Sequence, residues 1–269
     1  MSHSDMRRRA VLKAGLAAPL AAPLAVPAAE TLSSAPLSVE RLMEDVRTYA
    51  AAGNKQSGGA GDRSTADWTA ERLAASGFAV QRQAFDAPFF EPGRCELLLG
   101  NAAIPLIAQP LVVATPPAGT SAPLRLTDIG GTLEGSIAVV RLPYRRWSSL
   151  IDAGVRKPVA DAVARGAVAV IVVTTGPTGE ALLLNARGDS PFAPVPIALL
   201  APREAGPVVE AAQAGRAALL HIQGQAGQRL AENIIGQRTG PRAPWVVVST
   251  PRSGWTDCVG ERGPGVAIW

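Results

Sequence analysis

The run Ala167-Val168-Ala169-Val170-Ile171-Val172-Val173, directly after Gly166, is apolar at every position. A strand with one face in water alternates, whereas one that is apolar throughout has to be covered on both faces, as parallel strands in α/β proteins are. Residues 158–165 ahead of it read as a helix, with Lys157 just before, Pro158 at a first-turn position and Gly166 as the stop. Residues 135–141 predict another strand, entered from a turn, and 194–199 a short one. A helix over about 203–213 and a strand over 217–222 follow. From Cys95 to Ile222 the chain is therefore a series of short β runs divided by Pro and Gly. Aromatic residues make up only 4% of the 269, so the core has to be built from Ala, Val, Leu and Ile. The 23 Pro and 27 Gly are scattered, which argues against a collagen-like or disordered chain.

The flanking segments follow a different pattern. Val39, Leu42, Met43 and Val46 mark an amphipathic helix over 38–52 with Ser38 as its N-cap. A Gly-rich loop over 53–62 breaks it. A second helix opens at Ser64, with Asp67 placed as the acid of a capping box, and stops near Gly77. The alternation over 78–85 predicts a strand. Near the other end, 232–238 reads as a strand, 239–244 as a turn and 245–250 as an apolar strand.

The first 28 residues have the three parts of an export signal. Arg8-Arg9-Ala10-Val11-Leu12-Lys13 is a twin-arginine sequence, residues 14–26 are apolar, and Val26-Pro27-Ala28-Ala29 offers a small-residue cleavage end. The apolar run contains Pro19 and Pro23 and falls short of the ~20 residues that span a bilayer. This predicts a periplasmic or secreted protein with no membrane span once the signal is removed. The leader carries Arg7, Arg8, Arg9 and Lys13 against Asp5, so a formal charge of +4 for the whole chain falls to +1 for the remainder. Nucleic acid is not an expected partner. Cys95 and Cys258 remain; an oxidising compartment would permit a disulfide, and two free thiols are the equal alternative.

Gly135-x-Ile137-x-Val139-x-Arg141, Lys157 with Ala160, Gly166-Ala167, Pro194-Val195-Pro196 and the final helix–strand pair resemble, in that order, the protease-associated (PA) domain. The flanks, with Asn233-Ile234-Ile235-Gly236 and an apolar strand running into a loop, resemble the entry half of the co-catalytic dizinc aminopeptidase family, the clan of glutamate carboxypeptidase and the transferrin receptor. The resemblance implies an α/β fold: a partial three-layer aminopeptidase-like sheet carrying an inserted PA-like β/α domain. It implies three parts, with the signal at 1–28, a discontinuous aminopeptidase-like domain at 30–90 and 228–269, and the PA-like domain at 91–227.

The family uses two zinc ions, held by histidines and carboxylates, and the matching positions here do not supply them. Pro251 stands where the first histidine belongs, and Glu261 is the best match for the bridging aspartate. Of two histidines, His3 lies in the leader, and His221 reads as a strand histidine satisfied by the backbone. No metal ligand and no cofactor is assigned on this reading, and no catalytic residue. Val266-Ala267-Ile268-Trp269 reads as the first turn of a further helix, an apolar ending that points to a shortened chain, or one completed by a partner, and to low solubility.

The loop where the site belongs is still dense in functional groups: Thr250, Arg252, Ser253, Trp255, Asp257, Cys258, Glu261 and Arg262. Arg252, Ser253, Asp257, Cys258, Glu261 and Arg262 are the candidate ligand-binding loop, in which Arg252 or Arg262 grips a carboxylate or phosphate as a fork. The plainer alternative pairs Arg252 with Glu261 or Asp257 to hold the loop. Two functions follow: a peptidase-family homologue inactive as it stands, or an extracytoplasmic module that binds a peptide or small anion through the PA-like domain or the Arg252/Arg262 loop. Oligomeric state is left open.

Overall fold

The computed structural model describes residues 38–145, 149–238, 240 and 245–269. The leader, and all of the 239–244 turn but Gly240, lie outside the described residues. Helix α1 (Val39–Ala51) starts where the sequence places it, with the Ser38 hydroxyl accepting from the Arg41 amide at 3.2 Å. Helix α2 (Ala60–Ala75) starts earlier than expected, at Ala60 and not at Ser64. Its N-cap is Gly59, which has no side chain to cap with, and the Asp62 carboxylate in the first turn reaches back to take the Gly58 N–H at 2.7 Å. Asp67 instead pairs with Arg82 at 2.7 Å.

The largest correction concerns strand length. The strand expected over 78–85 is only the start of β1 (Ala79–Leu99), and those expected over 217–222 and 232–238 are the two ends of a single β8 (Ala217–Gln237). β1 and β8 pair antiparallel from Ala79↔Gln237 to Leu98↔Leu219. Pro92 and Gly93 fall inside the ladder, which absorbs them in a register shift between Pro92 and Arg94, where a bulge spares a missing donor. The expected domain boundaries, after 90 and 227, face each other across this ribbon, since Phe90 lies opposite Ala226 and Phe89 opposite Gly227.

The remaining strands are β2 (Ala102–Pro105), β3 (Ile107–Ala108), β4 (Thr120–Leu126), β5 (Ile137–Arg141), β6 (Ala169–Val173) and β7 (Ile197–Leu200). One eight-stranded sheet results, in the order β2-β1-β8-β4-β5-β6-β7-β3. Strands β4, β5, β6 and β7 run parallel to one another, while the other pairs are antiparallel. The fold is mixed α/β, with five α-helices among the described residues. Every residue of β6 is buried, as its unbroken apolar run requires.

Helix α3 (Ala153–Ala164) begins before Lys157, capped by Asp152 on the Gly154 amide at 2.8 Å; Pro158 therefore sits inside it and forgoes one helical bond. Strand β7 starts only after Pro194 and Pro196. Helix α4 (Ala205–Gln213) follows a short 3-10 turn.

Two expectations near the end of the chain fail. Residues 245–250 join no strand, and Trp245, Val246, Val247 and Val248 are all exposed, because no described neighbour offers them a ladder. Residues 266–268 are the last turn, not the first, of helix α5 (Val259–Ile268). This helix forms against propensity, through Gly260, Gly263, Pro264 and Gly265, by packing on α1; Gly263 lies where a side chain would touch Tyr49 and Val46. The main hydrophobic cluster runs from Phe90 to Ile222 and takes no residue from α1, α2 or α5. Among the described residues no helix is long and apolar enough to cross a membrane.

Candidate functional site

The candidate loop lies against the Gly-rich loop after α1, and backbone bonds join the two. The Lys55 amide donates to the Thr256 carbonyl at 3.0 Å, and the Gly254 amide donates to the Lys55 carbonyl at 3.0 Å. The Tyr49 hydroxyl donates to the Arg252 carbonyl at 2.7 Å, and the Ser57 and Ser253 hydroxyls meet at 3.2 Å.

Lys55 is fully buried, and its ammonium donates to the carbonyls of Gly53 at 2.5 Å and Asp257 at 3.0 Å, 4.2 Å above the Tyr49 ring. Burial pushes the Lys55 pKa down, partly offset by Asp257 and Cys258. Burial likewise pushes the Tyr49 hydroxyl up, with Cys258 adding to the effect.

Arg252 lies beneath this layer. Its guanidinium meets the Asp62 carboxylate at 2.6 Å, and it also donates to the Asp62 carbonyl, the Thr65 hydroxyl at 3.2 Å and the Glu232 carbonyl at 2.8 Å. Side-chain exposure is 11% for Arg252 and 3% for Asp62, so the pair is out of reach of solvent ligands. Burial raises the Asp62 pKa despite Arg252 and the Gly58 amide, and it lowers that of Arg252. Both shifts say that desolvation outweighs attraction in this pair.

A second arginine, Arg229 on β8, clamps the Gly-rich loop from the ribbon. It donates to the Ser57 carbonyl at 2.7 Å and to the Gln56 side chain at 3.0 Å, pairs with Glu91, and lies 4.5 Å from the Phe89 ring centre. Gln56 in turn donates to the Phe90 carbonyl at 3.1 Å. Gly58, at φ +69, passes so close to the Leu230 carbonyl that a Cβ there would overlap it.

Of the six candidate residues, Arg252, Ser253, Asp257 and Cys258 lie in the loop and Glu261 and Arg262 in the first turn of α5; Asp257 and Glu261 are exposed and the other four are partly buried. Arg252 pairs with Asp62, not with Glu261 or Asp257. Ser253 meets Ser57, and Asp257 contributes a backbone carbonyl. Cys258, in the left-handed region at φ 48, heads α5 with its sulfur 3.5 Å from the Thr256 hydroxyl. Glu261 and Arg262 pair with each other at 3.0 Å, and the Arg262 Nε is buried without a partner.

Both cysteines are free thiols. Cys95 lies in β1 opposite Ile222, and its thiol is pushed up to about 12 by burial and by the neighbouring Glu96.

Sequence reasoning missed Tyr49, Lys55, Gln56, Asp62 and Arg229. The only local signal was the Gly58-Gly59 pair, which marks a tight backbone path but names no partner.

What this arrangement does chemically is hold two loops together: its cations end on backbone carbonyls, on the buried Asp62 carboxylate and on the exposed carboxylates of Glu91 and Glu261. No group of three or more His, Cys, Asp and Glu side chains able to hold a metal ion is found among the described residues. The one described histidine, His221, is buried in β8 opposite Glu96, with Gln223 at 3.4 Å from its Nδ1. Such a donor set does not fit a pair of zinc ions, which takes several converging imidazoles and carboxylates.

No family model matches this sequence, and no curated protein does either. Solved structures do share its fold. A zinc aminopeptidase from Bacillus subtilis superposes with a TM-score of 0.64 at 18% identity, over 87% of this chain and 56% of that one. An aminopeptidase from Aneurinibacillus sp. strain AM-1 gives 0.56 at 17% identity, over 86% and 57%. A peptidase M28 precursor from Shewanella amazonensis gives 0.55 at 19%, over 73% and 50%. The chain has the aminopeptidase-like fold of these enzymes and spans between 50% and 57% of their lengths.

Proposed function

We propose that this chain is an exported, non-catalytic homologue of the zinc aminopeptidases, with residues 91–227 as a PA-like module carried on the β1–β8 ribbon. The observation that carries this reading is the use made of the 252–262 loop. Where a metallopeptidase needs free ligands facing a substrate, Arg252 is locked onto Asp62 and the carbonyls of Asp62 and Glu232. Pro251 offers no donor atom. The twin-arginine leader supports export.

The test is metal analysis and peptidase assay of the purified full-length chain. The expected result is zinc well below one equivalent after exchange into metal-free buffer, and no hydrolysis of aminoacyl anilides with zinc added. One or two tightly held zinc ions with turnover would overturn the proposal.

A further inference from the structure

We infer that two copies of this chain join through the run 245–248, which pairs antiparallel with itself about a two-fold axis at Val247. The association does not depend on whether the chain hydrolyses anything.

Residues 245–250 run without helix, turn or bend, and Trp245, Val246, Val247 and Val248 are between 66% and 86% exposed. Side chains of an extended run alternate between two faces, so Trp245 and Val247 share one and Val246 and Val248 the other. Both faces are apolar and both are bare. Among the described residues, the backbone N–H and C=O groups of 245–247 also have no hydrogen-bond partner.

The run is nonetheless held in place. The Trp269 indole donates to the Val248 carbonyl at 3.0 Å, and a Cβ on Gly265 would crowd the Thr250 hydroxyl. Both contacts lie at the end of α5, and the first sets which way the backbone faces. Successive residues of an extended run turn their N–H and C=O to opposite sides. With Val248 turned to α5, the N–H and C=O of Val247 point away from it, along an open edge.

The apolar surface extends beyond the run. Ile268 is exposed in the last turn of α5. Val46 and Tyr49 of α1 meet α5 at Gly263, and Tyr49 lies within electrostatic reach of Cys258 at the head of α5. The two helices therefore run in opposite senses, and the exposed Val39 and Met43 at the start of α1 come alongside the end of α5. Together the seven residues leave on the order of 900 Å² uncovered, against about 800 Å² that each partner gives to an interface of standard size. The largest apolar patch on a monomer is usually about 300–600 Å².

A second copy is the occupant these features fit. A lipid surface offers nothing to an open backbone edge, and the exposed Glu40 and Glu44 beside Val39 and Met43 oppose an anionic one. An identical run supplies both an edge and apolar cover. Centred on Val247, the N–H and C=O of that residue exchange bonds with those of its copy. Trp245 then lies opposite Ser249, and Val246 opposite Val248, so β-branched side chains meet across the pair. The same patch on both subunits is the isologous contact of a two-fold dimer.

The test is sedimentation velocity on the full-length chain, and the expected result is a dimer at micromolar concentration. Val247→Lys and Val247→Glu each set like charges face to face on the axis, and each should weaken the dimer about a hundred-fold. Because Val247 is exposed, the circular dichroism of both variants should match that of the wild type. Mixing the two variants should restore association as a one-to-one heterodimer. A wild type that stays monomeric, or that gathers on phosphatidylcholine vesicles instead, would overturn the inference. So would a dimer that survives Val247→Lys, or a mixture of the two variants that stays monomeric.

Discussion

At one end of the β1–β8 ribbon, Ile137 to Val140 and Ala169 to Val172 lie between covering elements with almost no exposed surface. At the other, α1, α2 and α5 contribute nothing to that cluster, and the buried groups include Lys55, Gln56, Asp62, Thr65 and Thr69. The first end is held by apolar area removed from water, which is non-directional and tolerant of detail. The second is held by donors aimed at particular carbonyls, which works only while every partner is present. The same chain therefore shows two ways of making a buried interior. They differ in how they fail, because losing a methyl group leaves a cavity whereas losing a carboxylate leaves a charge.

The sharpest way to break the polar end is Asp62→Ala, which leaves the Arg252 guanidinium buried without its counter-ion. The expected loss is about 3–5 kcal/mol in urea denaturation. Hydrogen exchange should show it first in α2 and in the 252–258 loop. Replacing both partners together, as Asp62→Leu with Arg252→Met, should recover a large part of that loss, since burial opposes the charge on each. If the double variant is as unstable as the single, the pair is worth more than its desolvation cost.

At the apolar end, Ile171→Ala should cost about 3 kcal/mol, within the span for truncating a fully buried aliphatic side chain. Its exchange pattern should be the mirror image, with protection lost across β5 to β7. Gly58→Ala comes next, at about 1–3 kcal/mol, since it combines a positive φ with overlap on the Leu230 carbonyl. Equal loosening of both ends by any one of these variants would show that the ribbon couples them into a single cooperative unit.

How much of this could be read from the sequence depends on which end is considered. Most of the all-apolar run up to Val173 states its own burial, and β6 lies within it, although the strand starts only at Ala169 and Val168 just before it is exposed. Asn54 to Asp62 states nothing comparable. Lys55 in a Gly-rich loop looks like an exposed loop lysine, and its burial depends on the Gly53 and Asp257 carbonyls, the second 202 residues away. Arg252 was legible as an ion-pairing residue, but its partner lies 190 residues earlier on α2. The ribbon was misread for a related reason. Pro92 and Gly93 are local breakers, and only the opposite strand, which takes up the register shift, shows that the ladder continues.

The smallest expected effect is also the most direct probe of what holds the polar end. Burial raises the folded pKa of Asp62 above that of the unfolded chain, in spite of Arg252 at 2.6 Å. A carboxyl that holds its proton more tightly when folded adds stability that is complete below the unfolded value, near 4, and is lost as pH rises through the folded value. Other carboxylates follow their own course, so the quantity to measure is the difference in unfolding free energy between the wild type and Asp62→Asn. That difference should shift in favour of the wild type as pH falls from 7 to about 4, and level off below. A shift the other way would mean that attraction to Arg252 wins over burial. The two ends would then differ in chemistry alone, and the pair would stabilise the helical end outright.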